Sequence, residues 1–276
     1  LFNAIPAFAP GLTGASYTTY SMTAETTTPP AAAPSQATGP LFYQQAVPLR
    51  SDEHANWRLL PETANFAADT NAIPAVIGEF GSLAQHYPII FTGKDAMPLV
   101  AVGLSHRNLF VAEGVWDEQS YVPAYVRRYP FVFMQAGEPD NYVLAVDAAA
   151  KQVNQGDSEE GLPLFQDGKA TELIDNAMRF CGDYTREHEH TRRFAAALIE
   201  NGLLIDRNID VTLADGRTMS VNGFQVVDVE KFAALPDETV VAWHRSGWLA
   251  LVHHHLSSLA RFSALVNRQS LLPADA

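Results

Sequence analysis

Apolar patterning along the chain begins at Leu41-Phe42-Tyr43 and persists to about Leu272. Inside it, Val76, Phe80, Leu83 and Tyr87 recur at steps of three and four, which predicts a helix over residues 74–87. Pro74 suits the first turn of that helix, while Gly78 and Gly81 weaken it. Short apolar runs follow at 88–92, 98–104, 108–112, 130–135 and 142–147. Gly, Pro and Asp separate them, so they read as strands of antiparallel meanders. Residues 148–169 are polar and turn-rich around Gly156-Asp157-Ser158-Glu159-Glu160-Gly161 and read as a surface loop or internal boundary.

The second half is more regular. Leu173, Ala177, Phe180, Tyr184, His188, Thr191, Phe194 and Leu198 keep helical spacing, predicting a long helix over 170–201 that stops at Asn201-Gly202. Residues 208–213 and 218–227 read as two strands joined around Asp215-Gly216, a hairpin cue. A last long helix is predicted over 237–269, after Leu235-Pro236-Asp237. The pattern defines an α+β fold. An antiparallel sheet from 88–147 and 207–228 packs against the two long helices, whose apolar stripes need a covering layer. Residues 41–276 form one domain, β-rich over 41–150 and helix-rich over 165–270. No internal repeat is evident.

Residues 1–40 carry no such pattern. Positions 22–40 hold Thr, Ala, Pro, Ser and Gly with one charge, and a stretch of that kind cannot bury enough apolar surface to offset its ordering entropy. They read as a disordered tail. The first twelve residues are mostly apolar but hold two prolines and no basic residue, unlike a secretory signal. Met22 is a more natural start, which leaves 1–21 as vector or upstream sequence, or as a divergent export segment. With the Met22 start the expected location is cytoplasmic. No apolar run approaches the roughly 20 residues of a membrane-crossing helix.

Charge narrows the function classes. Lys plus Arg is 18 against Asp plus Glu 31, a net charge of -13, which argues against a general nucleic-acid binder. A single Cys excludes an internal disulfide and any site built from several thiolates. Cys181 lies within the long predicted helix with no base or positive field evident nearby in sequence, and reads as a buried small hydrophobe. Nucleotide-binding glycine loops, the His-Glu-x-x-His zinc motif and the Gly-x-Ser-x-Gly elbow are all missing. No feature names a cofactor.

His253-His254-His255 cannot converge on one ion, because consecutive helical side chains point about 100° apart. His244 and His255 share a helix face but lie roughly 16 Å apart on a straight helix. His188 and His190 point to opposite sides of the other helix. Semi-buried or edge positions account for most of these histidines. His188, His244 and His255 remain metal-ligand candidates, with Glu79 or Asp117 as carboxylates, since two His and one carboxylate is a known iron(II) arrangement.

The densest unusual segment is 108–133, with seven aromatic residues and the adjacent Arg127 and Arg128. Aromatic plates beside an Arg fork suit a peptide, a carboxylate or a planar ligand. On a strand the two Arg would face opposite sides, so at most one would enter a given pocket. A structural knot, with guanidiniums on carbonyls beneath an aromatic core, is the competing reading. Candidate binding residues are Asn108, Trp116, Tyr121, Tyr125, Arg127, Arg128 and Tyr129.

Glu79-Phe80, Tyr87-Pro88-Ile89-Ile90-Phe91, Asn108-Leu109-Phe110, Trp116 and the run Tyr121-Val122-Pro123-Ala124-Tyr125-Val126-Arg127-Arg128-Tyr129-Pro130-Phe131 follow one another here. Pro163-Leu164-Phe165, Gly223-Phe224, Leu235-Pro236-Asp237 and Gly247-Trp248-Leu249-Ala250 come downstream. In order and spacing this resembles the bacterial SapC family over roughly residues 41–268. The family is named from a member linked to a proteinaceous surface layer and is distinct from the peptide-importer permease of the same name. The resemblance carries over no catalytic residue. Similar proteins are often encoded near outer-membrane TonB-dependent receptors, flavin-dependent halogenase-like proteins and cupin-like oxygenases. The resemblance therefore implies a nutrient-uptake or peptide-modification setting.

Three functions are consistent with these features. The first is a non-enzymatic accessory or binding protein that recognises a peptide or protein partner through 121–131, with Arg127 or Arg128 on a carboxylate. The second is a metal-dependent oxidative or tailoring enzyme built on the His and carboxylate candidates. The third is a surface-layer component.

Overall fold

The computed structural model describes residues 20–23, 40–61, 63–137, 141–156, 158–213 and 216–272. Its main sheet has six antiparallel strands in the order Tyr20–Thr23, Leu204–Thr212, Thr218–Val227, Ile89–Thr92, Met97–Ala101 and Ala72–Pro74. The hairpin pairs Ile205 with Val226, and Ile89 pairs with Val100. A three-stranded sheet places Tyr142–Asp147 between Ala46–Pro48 and Phe131–Gln135. A small ribbon sets Arg58–Leu59 between Val153–Asn154 and Leu162–Pro163.

The α-helices follow in chain order as α1 (Phe80–Leu83), α2 (Ala124–Arg127), α3 (Glu172–Glu200), α4 (Val229–Ala233), α5 (Asp237–Ser246), α6 (Trp248–Ser258) and α7 (Phe262–Ser270). The fold is α+β, with antiparallel sheets packed against long helical runs in the C-terminal half. Among the described residues no helix is long and apolar enough to cross a membrane.

The strands expected at 88–92, 98–104, 130–135 and 142–147 are present, but they divide between two sheets. The 131–147 hairpin turns away to pair with Ala46–Pro48 and builds a second core. Only Val111–Ala112 of 108–112 is a strand. It doubles back onto Val115–Trp116 through Glu113 and Gly114, both at positive φ, which a two-residue hairpin turn requires. The helix expected over 74–87 shrinks to a 3-10 turn, Ile77–Glu79, followed by α1, because Pro74 ends a sheet strand. Phe80, Leu83 and Tyr87 are nonetheless fully buried. Of the tail, Tyr20–Thr23 pairs with residues 208–211; the rest of the expected tail, short of residue 40, lies outside the described residues.

Helix α3 spans nearly the range its sequence pattern predicts. It ends in a Schellman turn: Leu203 N–H donates to the Leu198 carbonyl and Gly202 N–H to that of Ile199, with Gly202 at φ +62°. Its buried stripe is Ile174, Cys181, Tyr184, Thr191, Phe194 and Leu198. Leu173, Ala177, Phe180 and His188, expected inward, are only half-buried. The helical run expected over 237–269 breaks at Gly247, whose left-handed φ of +79° separates α5 from α6. The break sets Trp243 and Trp248 at 5.6 Å ring to ring, and both pack on Phe194, at 6.4 and 5.9 Å.

Two hydrophobic cores result. One lies between the six-stranded sheet and the helices, and the other beneath the 131–147 hairpin. Residues 121–131 cross from one to the other: Tyr125 and Val126 belong to the first, Tyr129 and Phe131 to the second.

Candidate functional site

The crossing segment is a single helical turn rather than a strand. Pro123 holds extended backbone just before it, and Ala124–Arg127 form α2. A helix start leaves backbone N–H groups without intrahelical partners. Here a distant side chain serves one of them: Glu79 Oε2 accepts from Ala124 N–H at 2.9 Å and from the Tyr121 hydroxyl at 3.2 Å. Burial pushes the Glu79 carboxyl above its ordinary range, against the pull of these hydrogen bonds and of Arg127. Among the described residues its Oε1 is buried without a hydrogen-bond partner.

Arg127 is exposed. Its Nη2 donates to the Tyr121 hydroxyl at 2.8 Å, its Nε donates to the Val122 carbonyl at 3.0 Å, and its guanidinium lies 5.3 Å from the Phe180 ring centre. Arg128 is half-buried and differently surrounded. Its guanidinium carbon lies 4.2 Å from the Tyr125 ring centre, 4.4 Å from Tyr184 and 5.5 Å from Tyr43. Burial pushes all three phenol hydroxyls up in pKa, so they stay neutral and do not cancel the charge. Tyr43 donates to the Phe131 carbonyl at 2.6 Å, and Tyr125 donates to that of Leu41 at 3.0 Å while also hydrogen-bonding Arg128. Among the described residues Arg128 makes no ion pair, and its Nε is buried without a hydrogen bond.

Arg127 and Arg128 both line one cleft of about 280 Å³. The expectation that at most one Arg enters a given pocket is therefore corrected, because the segment is helical and adjacent side chains diverge by about 100° rather than facing opposite sides. The α3 wall is Asn176, Ala177, Phe180 and Cys181, and Leu59, Leu60 and Gln152 face it. The half-buried state of Ala177 and Phe180 follows, since their side of α3 borders this cleft. Cys181 is buried, and burial pushes its thiol up to about 11, so it is no thiolate at neutral pH.

Of the sequence candidates, Arg127, Arg128 and Tyr129 line the cleft, and Tyr121 and Tyr125 hold the two Arg. Asn108 and Trp116 do not line it. Asn108 donates to the Ala67 carbonyl and accepts from Phe110 N–H, each at 2.9 Å, and Trp116 Nε1 donates to the Tyr87 hydroxyl at 3.1 Å. Their polar groups are consumed inside the first core. Residues that sequence reasoning missed as site residues are Tyr43, Gln152, Phe180 and Tyr184. Phe180 and Tyr184 sit one helical turn apart on a predicted stripe, a signal that was present; nothing local marks Tyr43 or Gln152.

The metal candidates are not brought together: no group of three potential ligands forms among the described residues. Both ring nitrogens of fully buried His255 are occupied, Nε2 by Val227 N–H at 3.0 Å and Nδ1 by the Ile89 carbonyl at 2.9 Å. His244 is exposed on α5, while His188 stacks on Tyr184 with ring centres 6.5 Å apart. Asp117 pairs with Arg268, and Glu79 caps α2. These residues give no anchor for the tailoring-enzyme reading.

Fold and site together define an α+β protein with a small, cationic, aromatic-walled cleft. The SapC family model matches residues 49–265, and the chain belongs to that family. No curated protein and no solved structure matches it.

Proposed function

We propose that this chain is a binding or accessory protein that recognises a peptide or protein partner through the cleft at Arg127 and Arg128, which take an anionic group. The observation that carries this reading is Arg128, a half-buried guanidinium on three neutral tyrosines with no acidic partner among the described residues. A charge withdrawn from water is costly unless paired, and charge-assisted bonds from Arg to a carboxylate are among the stronger polar contacts. An incoming carboxylate would supply the missing partner. The tyrosine rings add cation–π attraction that holds the guanidinium in place between binding events.

The test is affinity capture from native lysate with wild type, Arg127→Ala and Arg128→Ala, each checked for folding by circular dichroism. Loss of a captured partner with either variant supports the reading. Retention of every partner by both folded variants removes its basis.

A further inference from the structure

The proposed function leaves the ligand open, and resting on that reading, the cleft's composition narrows it. We infer that the cleft takes the C-terminal carboxylate of a peptide whose last side chain is apolar.

Size is the first argument. About 280 Å³ lies just below the usual range for small-molecule sites, roughly 300–1,000 Å³. It admits one or two residues, not a dinucleotide or a folded segment. The second argument is the mixture of walls. Leu60, Phe131, Ala177 and Phe180 line the cleft together with Arg127 and Arg128, and the Phe180 ring centre lies 5.3 Å from the Arg127 guanidinium. A phosphate needs many donors and gains nothing from such walls. A carboxylate carried on the same residue as an apolar side chain uses both. An internal Asp or Glu would put only its charge in the cleft while the chain continued in both directions.

A third observation points independently to a peptide backbone. Gln152 lines the cleft and also a neighbouring cavity walled by Phe42, Phe66 and Tyr129, and its side-chain amide makes no hydrogen bond among the described residues. An amide that both donates and accepts is suited to the N–H and C=O of a peptide unit. The terminal residue would set its carboxylate on Arg128, with Arg127 at the exposed edge, its peptide group on Gln152, and its side chain against Phe180.

Isothermal calorimetry on the full chain tests this with four probes: N-acetyl-Gly-Gly-Leu acid, the same peptide as its C-terminal amide, N-acetyl-Gly-Glu-Gly amide, and hexanoate. The acid is expected to bind about 10- to 100-fold more tightly than its amide, the range of one charge-assisted contact. Arg128→Gln should abolish that preference. The acid–amide comparison needs no variant, so it stands even if Arg128→Gln folds poorly. Equal binding of acid and amide overturns the inference. If the Glu peptide amide matches the Leu acid and loses affinity with Arg128→Gln, the anion-binding reading survives and the C-terminal inference falls. If hexanoate matches the peptide acid, the ligand is a free apolar carboxylate and the peptide assignment falls. Binding of none of the four at about 10 mM overturns both readings.

Discussion

Glu79 Oε2 accepts the Ala124 backbone N–H at 2.9 Å, so a carboxylate just ahead of one short helix caps the start of another 45 residues away. The same oxygen receives the Tyr121 hydroxyl, which in turn accepts from Arg127. One buried carboxyl therefore ties together the turn that carries both cleft arginines.

Replacing this carboxyl should be costly in a graded way. Glu79→Ala removes an acceptor for two donors and is expected to destabilise by about 1–3 kcal/mol in urea unfolding. Glu79→Gln keeps one acceptor oxygen and should cost less. The two variants also separate in pH dependence. Burial raises the folded-state pKa of Glu79 above its ordinary 4.5, so the folded protein holds this proton more tightly than the unfolded chain. That contribution is complete below about pH 4.5 and declines as pH rises through the raised folded value. Subtracting the Glu79→Gln stability curve from that of wild type should therefore give a difference that falls with rising pH across this window. A flat difference would contradict it.

His255 should show the opposite sign. Its ring accepts from Val227 N–H and donates to the Ile89 carbonyl, an arrangement that only the neutral Nδ1–H tautomer satisfies. Burial depresses its pKa from 6.5 to about 4. The unfolded chain takes up this proton first, so the stabilisation is complete above about pH 6.5 and lost as pH falls toward 4. His255→Ala is expected to lose about 3 kcal/mol at pH 7.5, because two backbone groups lose their partner inside the core. Denaturant midpoints between pH 4.5 and 7.5 check both claims, and the gap between wild type and His255→Ala should narrow with acid.

Gly247→Ala isolates a backbone effect. A Cβ added there meets nothing within 4 Å, so packing is not the issue. The φ of +79° is, and an alanine held there should cost about 1 kcal/mol. A lower thermal midpoint with unchanged near-ultraviolet signals from Trp243 and Trp248 is the expected result.

Much of the fold was legible because α3 and the 204–227 hairpin carry their instructions locally. Steps of three and four mark the helix, Asn201-Gly202 ends it, and apolar runs bound the hairpin. The division into two sheets was not legible. It depends on Ala46–Pro48 pairing with Tyr142–Asp147 across about a hundred residues, a tertiary choice that no local period encodes. The break at Gly247 was ambiguous for a related reason, since a glycine inside an apolar period is compatible with a continuous helix. At the site, the aromatic and Arg density of 121–131 marks the segment that lines the cleft. It did not separate Arg128, caged by Tyr43, Tyr125 and Tyr184, from Trp116 and Asn108, whose polar groups are spent in the core. Composition gives aromatic content, but only packing shows which rings surround a charge.

The central claim is that the Arg128 guanidinium receives the partner's anionic group. The most direct measurement is the affinity of a partner recovered by capture, determined by calorimetry for wild type and for folded Arg128→Gln at the same ionic strength. The expected result is at least about a tenfold loss on substitution, as for one charge-assisted contact. An unchanged dissociation constant would contradict it.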